Sequence, residues 1–215
     1  MGSTLNNLNI KKNSGMGVLE LVVVMFIFAA TVISLIEIYI LYNTIHVREN
    51  LIIDIQGAAN MAASTIHSST VMASSVEKEY IFLANSVSTT ICPANKCTTS
   101  DKVLVFKIPS LDTSQNLITS SYDYVVFYVG DGDDSDTVAD ELLYTLEAAS
   151  STYRKSISKK QVARFVNQLT FYYNNIDLTK TSAIELYIKT EDTRYELHPI
   201  TRNFEINTTI NLRNR

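Results

Sequence analysis

The chain begins with a polar stretch, residues 1–15, and then turns abruptly apolar. From Met16 to Tyr42 the sequence MGVLELVVVMFIFAATVISLIEIYILY carries only two charged side chains, Glu20 and Glu37. As an α-helix this segment is about 40 Å long at ~1.5 Å per residue, enough to cross a hydrocarbon core of about 30 Å. Beyond Tyr42 the pattern changes without stopping. Leu41, Ile45, Ile52, Ile55, Ala59, Ala62 and Ile66 recur at steps of three, four or seven, while Arg48, Glu49, Asp54, Gln56 and Asn60 take the other face. The periodicity predicts one long helix, membrane-spanning over residues 16–42 and amphipathic over residues 43–70. Gly57 and the alanines from Ala58 to Ala63 predict close packing of the amphipathic half on a sheet, with a coiled-coil stalk as the alternative.

After a Ser/Thr-rich stretch from Ser64 to Ser75 the apolar period shortens to two. Lys102–Ile108, Tyr122–Val129, Glu141–Leu146, Phe165–Tyr173 and Ile184–Lys189 are rich in β-branched and aromatic residues and read as strands. Val125, Phe127 and Val129 alternate with Val126, Tyr128 and Gly130, the pattern of a sheet buried mainly on one face. Ser158–Phe165 is expected to hold a helical turn. The fold class is therefore α+β: a long N-terminal helix packed on an antiparallel, β-rich head over residues 71–215. No fixed-period repeat is present, which sets aside solenoids and propellers.

Composition narrows the function classes. The 215 residues include 18 Lys plus Arg against 22 Asp plus Glu, a formal charge of -4, so nothing in the balance suits a phosphate backbone and no nucleic-acid binding is expected. With 12 Tyr, 8 Phe, 6 Gly and 3 Pro, the chain has the makings of sheet faces and not of a disordered or collagen-like polymer. The two cysteines, Cys92 and Cys97, enclose a four-residue loop without His or a third Cys, which predicts a disulfide formed outside the cytoplasm rather than a zinc site.

The polar leader has Lys11 and Lys12 as its only charged side chains, so the positive-inside rule places it in the cytoplasm and the head outside. The apolar run is followed by Asn43-Thr44-Ile45-His46, without the small-residue pattern of signal-peptide cleavage; the small residue at a boundary is Gly15, ahead of the run. Glu20 lies one turn inside the apolar helix, where a carboxylate costs several kcal/mol unless it reaches water at the interface or finds a partner. A cut after Gly15 creates such a partner, the new α-amino group of Met16, on the same chain or on a neighbouring copy.

Lys11-Lys12-Asn13-Ser14-Gly15 followed by Met16-Gly17-Val18-Leu19-Glu20 and the long apolar run resembles the class III signal of type IV prepilins and secretion pseudopilins. The resemblance implies cleavage between Gly15 and Met16 by a membrane prepilin peptidase and methylation of the new terminus. Glu20 matches the family's glutamate at the fifth mature position, which sets register in assembly. Met16 stands where Phe is usual and Gly17 where Thr is usual. The tyrosine-rich strand, the acidic loop, the run from Val162 to Phe171 and the ending Ile210–Arg215 are similar to the larger minor subunits of the superfamily. Expected partners are thus other pilin or pseudopilin subunits, the prepilin peptidase and an inner-membrane assembly platform. The expected location is the inner membrane with an extracytoplasmic head, then a filament.

Candidate chemistry elsewhere is thin. Gly130–Asp136 gathers Asp131, Asp133, Asp134 and Asp136, hard oxygen ligands of the type calcium takes. Counted from Asp131, however, the sixth and twelfth places hold Asp136 and Leu142, not the Gly and Glu of an EF-hand, so a solvated acidic turn is the favoured reading and no metal or cofactor is expected. His46, His67 and His198 stand apart from any motif, and no phosphate loop, nucleophile elbow or H-E-x-x-H occurs, so the sequence points to a structural subunit and not to an enzyme. Asn207-Thr208-Thr209 is formally a glycosylation sequon. The competing expectation is a single-pass, membrane-tethered binding or sensor module that does not polymerise.

Overall fold

The computed structural model describes residues 17–82, 92, 96–131, 139–195 and 199–212. It contains one 55-residue helix, α1 (Val18–Met72), and ten strands among the described residues. These are β1 (Ser75–Val76), β2 (Glu79–Ile81), β3 (Lys96–Thr98), β4 (Val103–Leu111), β5 (Leu117–Gly130), β6 (Glu141–Glu147), β7 (Ile157–Ala163), β8 (Val166–Tyr173), β9 (Ala183–Tyr195) and β10 (Pro199–Asn211). The chain is therefore an α+β protein with a long apolar N-terminal helix, and it divides into two units, residues 1–46 and 47–215.

In the larger unit every strand pairing is antiparallel. One sheet has the order β1-β4-β5-β6-β7, a second the order β10-β9-β8, and β2 pairs with β3 in a small ribbon. The second half of α1 buries Leu51, Ile55, Ala59, Ala62 and Ile66, spaced four, four, three and four, so that all five fall within one narrow arc of the helix. Ala62 and Ile66 join a core with residues from both large sheets, among them Phe106, Phe127, Phe171, Leu186 and Ile210. The amphipathic half thus lies on sheet and does not form a stalk. Leu51 leads the buried stripe in place of the expected Ile52, which is only half-buried, and Leu41 and Ile45 are exposed. Gly57 does not serve close packing as its neighbourhood suggested: a Cβ added there meets nothing within 4 Å. The close approach is left to Ala59 and Ala62, whose small side chains are fully buried.

The five-stranded sheet is buried on both faces, unlike the one-sided burial read from the alternation of β5. Val125 and Phe127 face the helix-side core, whereas Val126 and Tyr128 join Val103, Val105 and Leu143 beneath Phe82 and the Cys92–Cys97 disulfide. The β2–β3 ribbon is the lid of this second cluster, with Tyr80 stacked on Tyr124 at a centroid distance of 3.7 Å. The Cα atoms of Cys92 and Cys97 are 4.6 Å apart, so the bridge expected from their spacing is present.

Two further expectations change. Ser158–Phe165 holds strand β7 and not a helical turn. Phe165 does not begin a strand: at φ 61° it is a left-handed corner between β7 and β8, where the chain leaves one sheet for the other. Its carbonyl accepts bonds from the backbone N–H groups of Glu191 and Asn167, which hold the corner to β9.

Candidate functional site

The candidate site of the smaller unit is the helix from Val18 to His46. Its side chains are exposed along nearly the whole length, including Leu19, Phe26, Phe28, Ile38 and Tyr42, and the helix is long and apolar enough to cross a membrane. An uncovered apolar surface of this extent is far larger than the patches a water-soluble monomer tolerates, so lipid or other apolar helices must cover it. Thr31, Ser34 and Thr44, the polar interruptions, return their hydroxyls to the backbone carbonyls of Phe28, Ala30 and Ile40. Those bonds remove the cost of hydroxyls in an apolar medium without breaking the helix. Tyr42 and His46 stack one turn apart, with ring centroids at 6.1 Å and an interplanar angle of 7°.

Glu20 sits in the first turn of α1, and its Oε2 accepts the backbone N–H of Gly17 at 3.1 Å. With the helix starting at Val18, Glu20 is the third helical residue reaching back to the residue before the helix, the return half of a capping box. The helix dipole favours a carboxylate at that end as well. The sequence left Glu20 to water at the interface or to a freed Met16 amine, on the same chain or on a neighbouring copy; the geometry adds the backbone N–H of Gly17. The two roles are compatible, since a carboxylate with one bond from Gly17 retains acceptor positions for an ammonium group. Gly15 and Met16, the expected processing site, lie outside the described residues.

Of the acidic loop, Asp131 is described and exposed just beyond β5, while Asp133, Asp134 and Asp136 lie outside the described residues. Among the described residues no cluster of His, Cys, Asp or Glu has the makings of a metal site. His67 is exposed on α1, and His198 lies outside the described residues.

The most elaborate polar site in the larger unit is one the sequence reading passed over. Asp123 is fully buried on β5 and accepts bonds from Ser110 Oγ at 2.8 Å, from the backbone N–H of Ala149 at 3.0 Å and from Arg154 Nη1 at 2.6 Å. Arg154 also donates to the carbonyl of Pro109 at 2.7 Å. Thr152 donates to the carbonyl of Leu111 and receives the N–H of the same residue, tying the β6–β7 connection to the end of β4. A buried carboxylate fully satisfied in this way is a structural clasp, not an acid–base group reaching a substrate. Its sequence signal was a lone Asp within the Tyr122–Val129 strand, a place where β-propensity disfavours it.

In the three-stranded sheet, Arg194 of β9 forms an ion pair with Asp54 of α1, and Thr190 donates its hydroxyl to the carbonyl of Ile55 at 3.0 Å. These two contacts fasten the amphipathic part of the helix to β9. Comparison with protein-family models, with curated proteins and with solved structures finds no match to this chain.

Proposed function

We propose that the chain is a structural subunit of a type IV pilus or secretion pseudopilus, of the larger minor kind, made as a precursor and assembled through its N-terminal helix. The observation that carries the reading is a single helix with two differently used parts: an uncovered apolar segment opening at Glu20, and a segment clasped to an α+β head through Leu51, Ile55, Ala59, Ala62 and Ile66. This suits a subunit that is stored in a membrane and polymerised by exchanging lipid for neighbouring helices, because apolar burial against other subunits replaces the lipid contact that is lost. In this reading Gly15 and Met16 flank the cut made by a prepilin peptidase. Glu20 holds its own helix start through Gly17 and pairs with the freed amine of a neighbouring subunit during docking. The head then presents surfaces to neighbouring subunits or to cargo, with no catalytic role.

Intact-mass measurement on protein extracted from membranes tests the processing step. The expected mass lacks residues 1–15 and includes one methyl group on Met16. A mass that retains the leader leaves a tethered module that does not polymerise. Glu20→Ala is expected to leave the head folded and the chain in the membrane fraction while abolishing its recovery in sheared filaments; normal recovery removes the register role.

A further inference from the structure

The face of the three-stranded sheet that points away from its buried core is built as a lattice. The strand register places Gln168, Lys189 and Glu205 in one row, Thr170, Tyr187 and Asn207 in the next, and Tyr172, Glu185 and Thr209 in the third. Alternate residues Leu169, Phe171, Leu186 and Ile188 are buried, which fixes these nine on the other face. A groove of about 450 Å³ runs over Gln168, Tyr172, Glu185, Tyr187 and Asn207, within the range of about 300–1,000 Å³ usual for ligand clefts. Tyr172, 56% exposed, also lines a second groove of about 740 Å³ that continues past Ser100, Asp101 and Lys102.

The polar groups are held before any ligand arrives. Asn207 Nδ2 donates to Glu185 Oε1 at 3.0 Å, and Gln168 Nε2 lies 3.5 Å from Thr170 Oγ1. Partial desolvation and the Glu205 charge push the Tyr187 hydroxyl above its ordinary pKa. Lys189 is engaged by Glu191 at 2.9 Å. Glu185 and Glu205 therefore set the sign of the patch, which repels phosphate, sulfate and sialic-type ligands. In the smaller groove the apolar content is confined to the rings of Tyr172 and Tyr187, too little for a lipid surface and enough to receive the C–H face of a sugar ring. The flanking amides and the carboxylate supply paired donors and acceptors of the kind vicinal hydroxyls require.

From this geometry we infer that the outer face of β8–β9–β10, centred on Tyr172 and Tyr187, binds neutral oligosaccharide. A chain of several sugars fits better than a single one, because the two grooves share Gln168 and Tyr172 in their linings. The inference concerns the head alone and does not depend on polymerisation.

The test uses the full chain in a detergent without a sugar headgroup, applied to immobilised gluco-, galacto-, manno- and N-acetylglucosamine oligosaccharides beside sialylated and sulfated ones and a proline-rich peptide. The expected result is saturable binding to at least one neutral oligosaccharide. That binding weakens by about tenfold or more in Tyr172→Ala, the loss of one stacked ring, and is retained in Tyr172→Phe. Tyr153→Ala, which removes an exposed tyrosine outside this face, is expected to bind as the unaltered chain does. Absence of neutral saccharide binding overturns the inference, as does unchanged binding in Tyr172→Ala, equal loss in Tyr172→Phe, or preference for the anionic sugars or the peptide.

Discussion

Asp123 is the residue on which the head's polar interior turns. Its carboxylate is wholly buried and its charge is balanced by Arg154, whose side chain is itself only 19% exposed. Removing one partner leaves the other charged and poorly solvated, so Asp123→Ala is expected to lower the unfolding free energy by about 3–5 kcal/mol. Replacing both, in Asp123→Ala with Arg154→Met, is expected to cost less than the sum of the two single changes. Denaturant unfolding of the four proteins measures that coupling. Tyrosines supply a second, pH-dependent effect. Burial, aided by Glu147 and Tyr124, pushes Tyr80 up to about 12, and burial also raises Tyr173, whose hydroxyl donates to the carbonyl of Ser100 at 2.8 Å. In the unfolded chain these phenols ionise near pH 10. The unfolded state thus loses its protons first as pH rises, and stability is fully present below about pH 10 and declines toward about pH 12. Unfolding midpoints followed across that window are expected to fall, and Tyr80→Phe is expected to make the fall shallower.

At the scale of elements, α1 illustrates how one secondary structure meets two solvents. Its amphipathic part uses Ala59 and Ala62 to bring the backbone near the sheets, so Ala62→Leu forces a large side chain into a filled core and is expected to cost about 1–3 kcal/mol. Gly57 lies outside the packed arc with open space where a Cβ belongs. Gly57→Ala is therefore expected to raise stability by about 0.5–1 kcal/mol, through helix propensity and a less flexible unfolded chain. Thermal unfolding of the detergent-solubilised chain separates the two signs. An opposite ordering means that the helix does not pack on the head as described. The β2–β3 ribbon is the smallest of the three sheets among the described residues, and three-residue strands are marginal alone. It is held by the adjoining disulfide, by the Tyr80–Tyr124 stack and by the buried Phe82.

For the molecule as a whole, the disulfide links local chain entropy to the closure of the second core. Closing so short a loop contributes about 2 kcal/mol through the unfolded chain, and Cys92 and Cys97 are fully buried members of the Phe82 cluster. Reduction is expected to lower the unfolding midpoint and expose the face of the five-stranded sheet formed by Val105, Val126 and Leu143, an effect readable as increased binding of an apolar dye. An unchanged midpoint after reduction, with both thiols alkylated, removes the lid role. The same disulfide fits an oxidising compartment. The apolar helix ahead of the head is long and apolar enough to cross a membrane.

The helix and most strands were legible in the letters, because a hydrophobic period of 3.6 or 2 is a local property that survives without tertiary information. The disulfide was legible for the same reason, since two cysteines five positions apart have only a short loop to close. What the sequence could not decide was which covering each surface receives. Val126 and Tyr128 read as the outer side of a sheet until the ribbon between β1 and β4 is folded over them, and Ser158–Phe165 reads as a helical turn until β6 recruits it as an edge strand. Asp123 looks like an intrusion until Ser110, Ala149 and Arg154, distant in sequence, converge on it. Nor does any local pattern align Tyr172 with Glu185 and Tyr187 with Asn207; that row-by-row registration belongs to strand pairing alone, where a slip of one residue would turn every tyrosine inward.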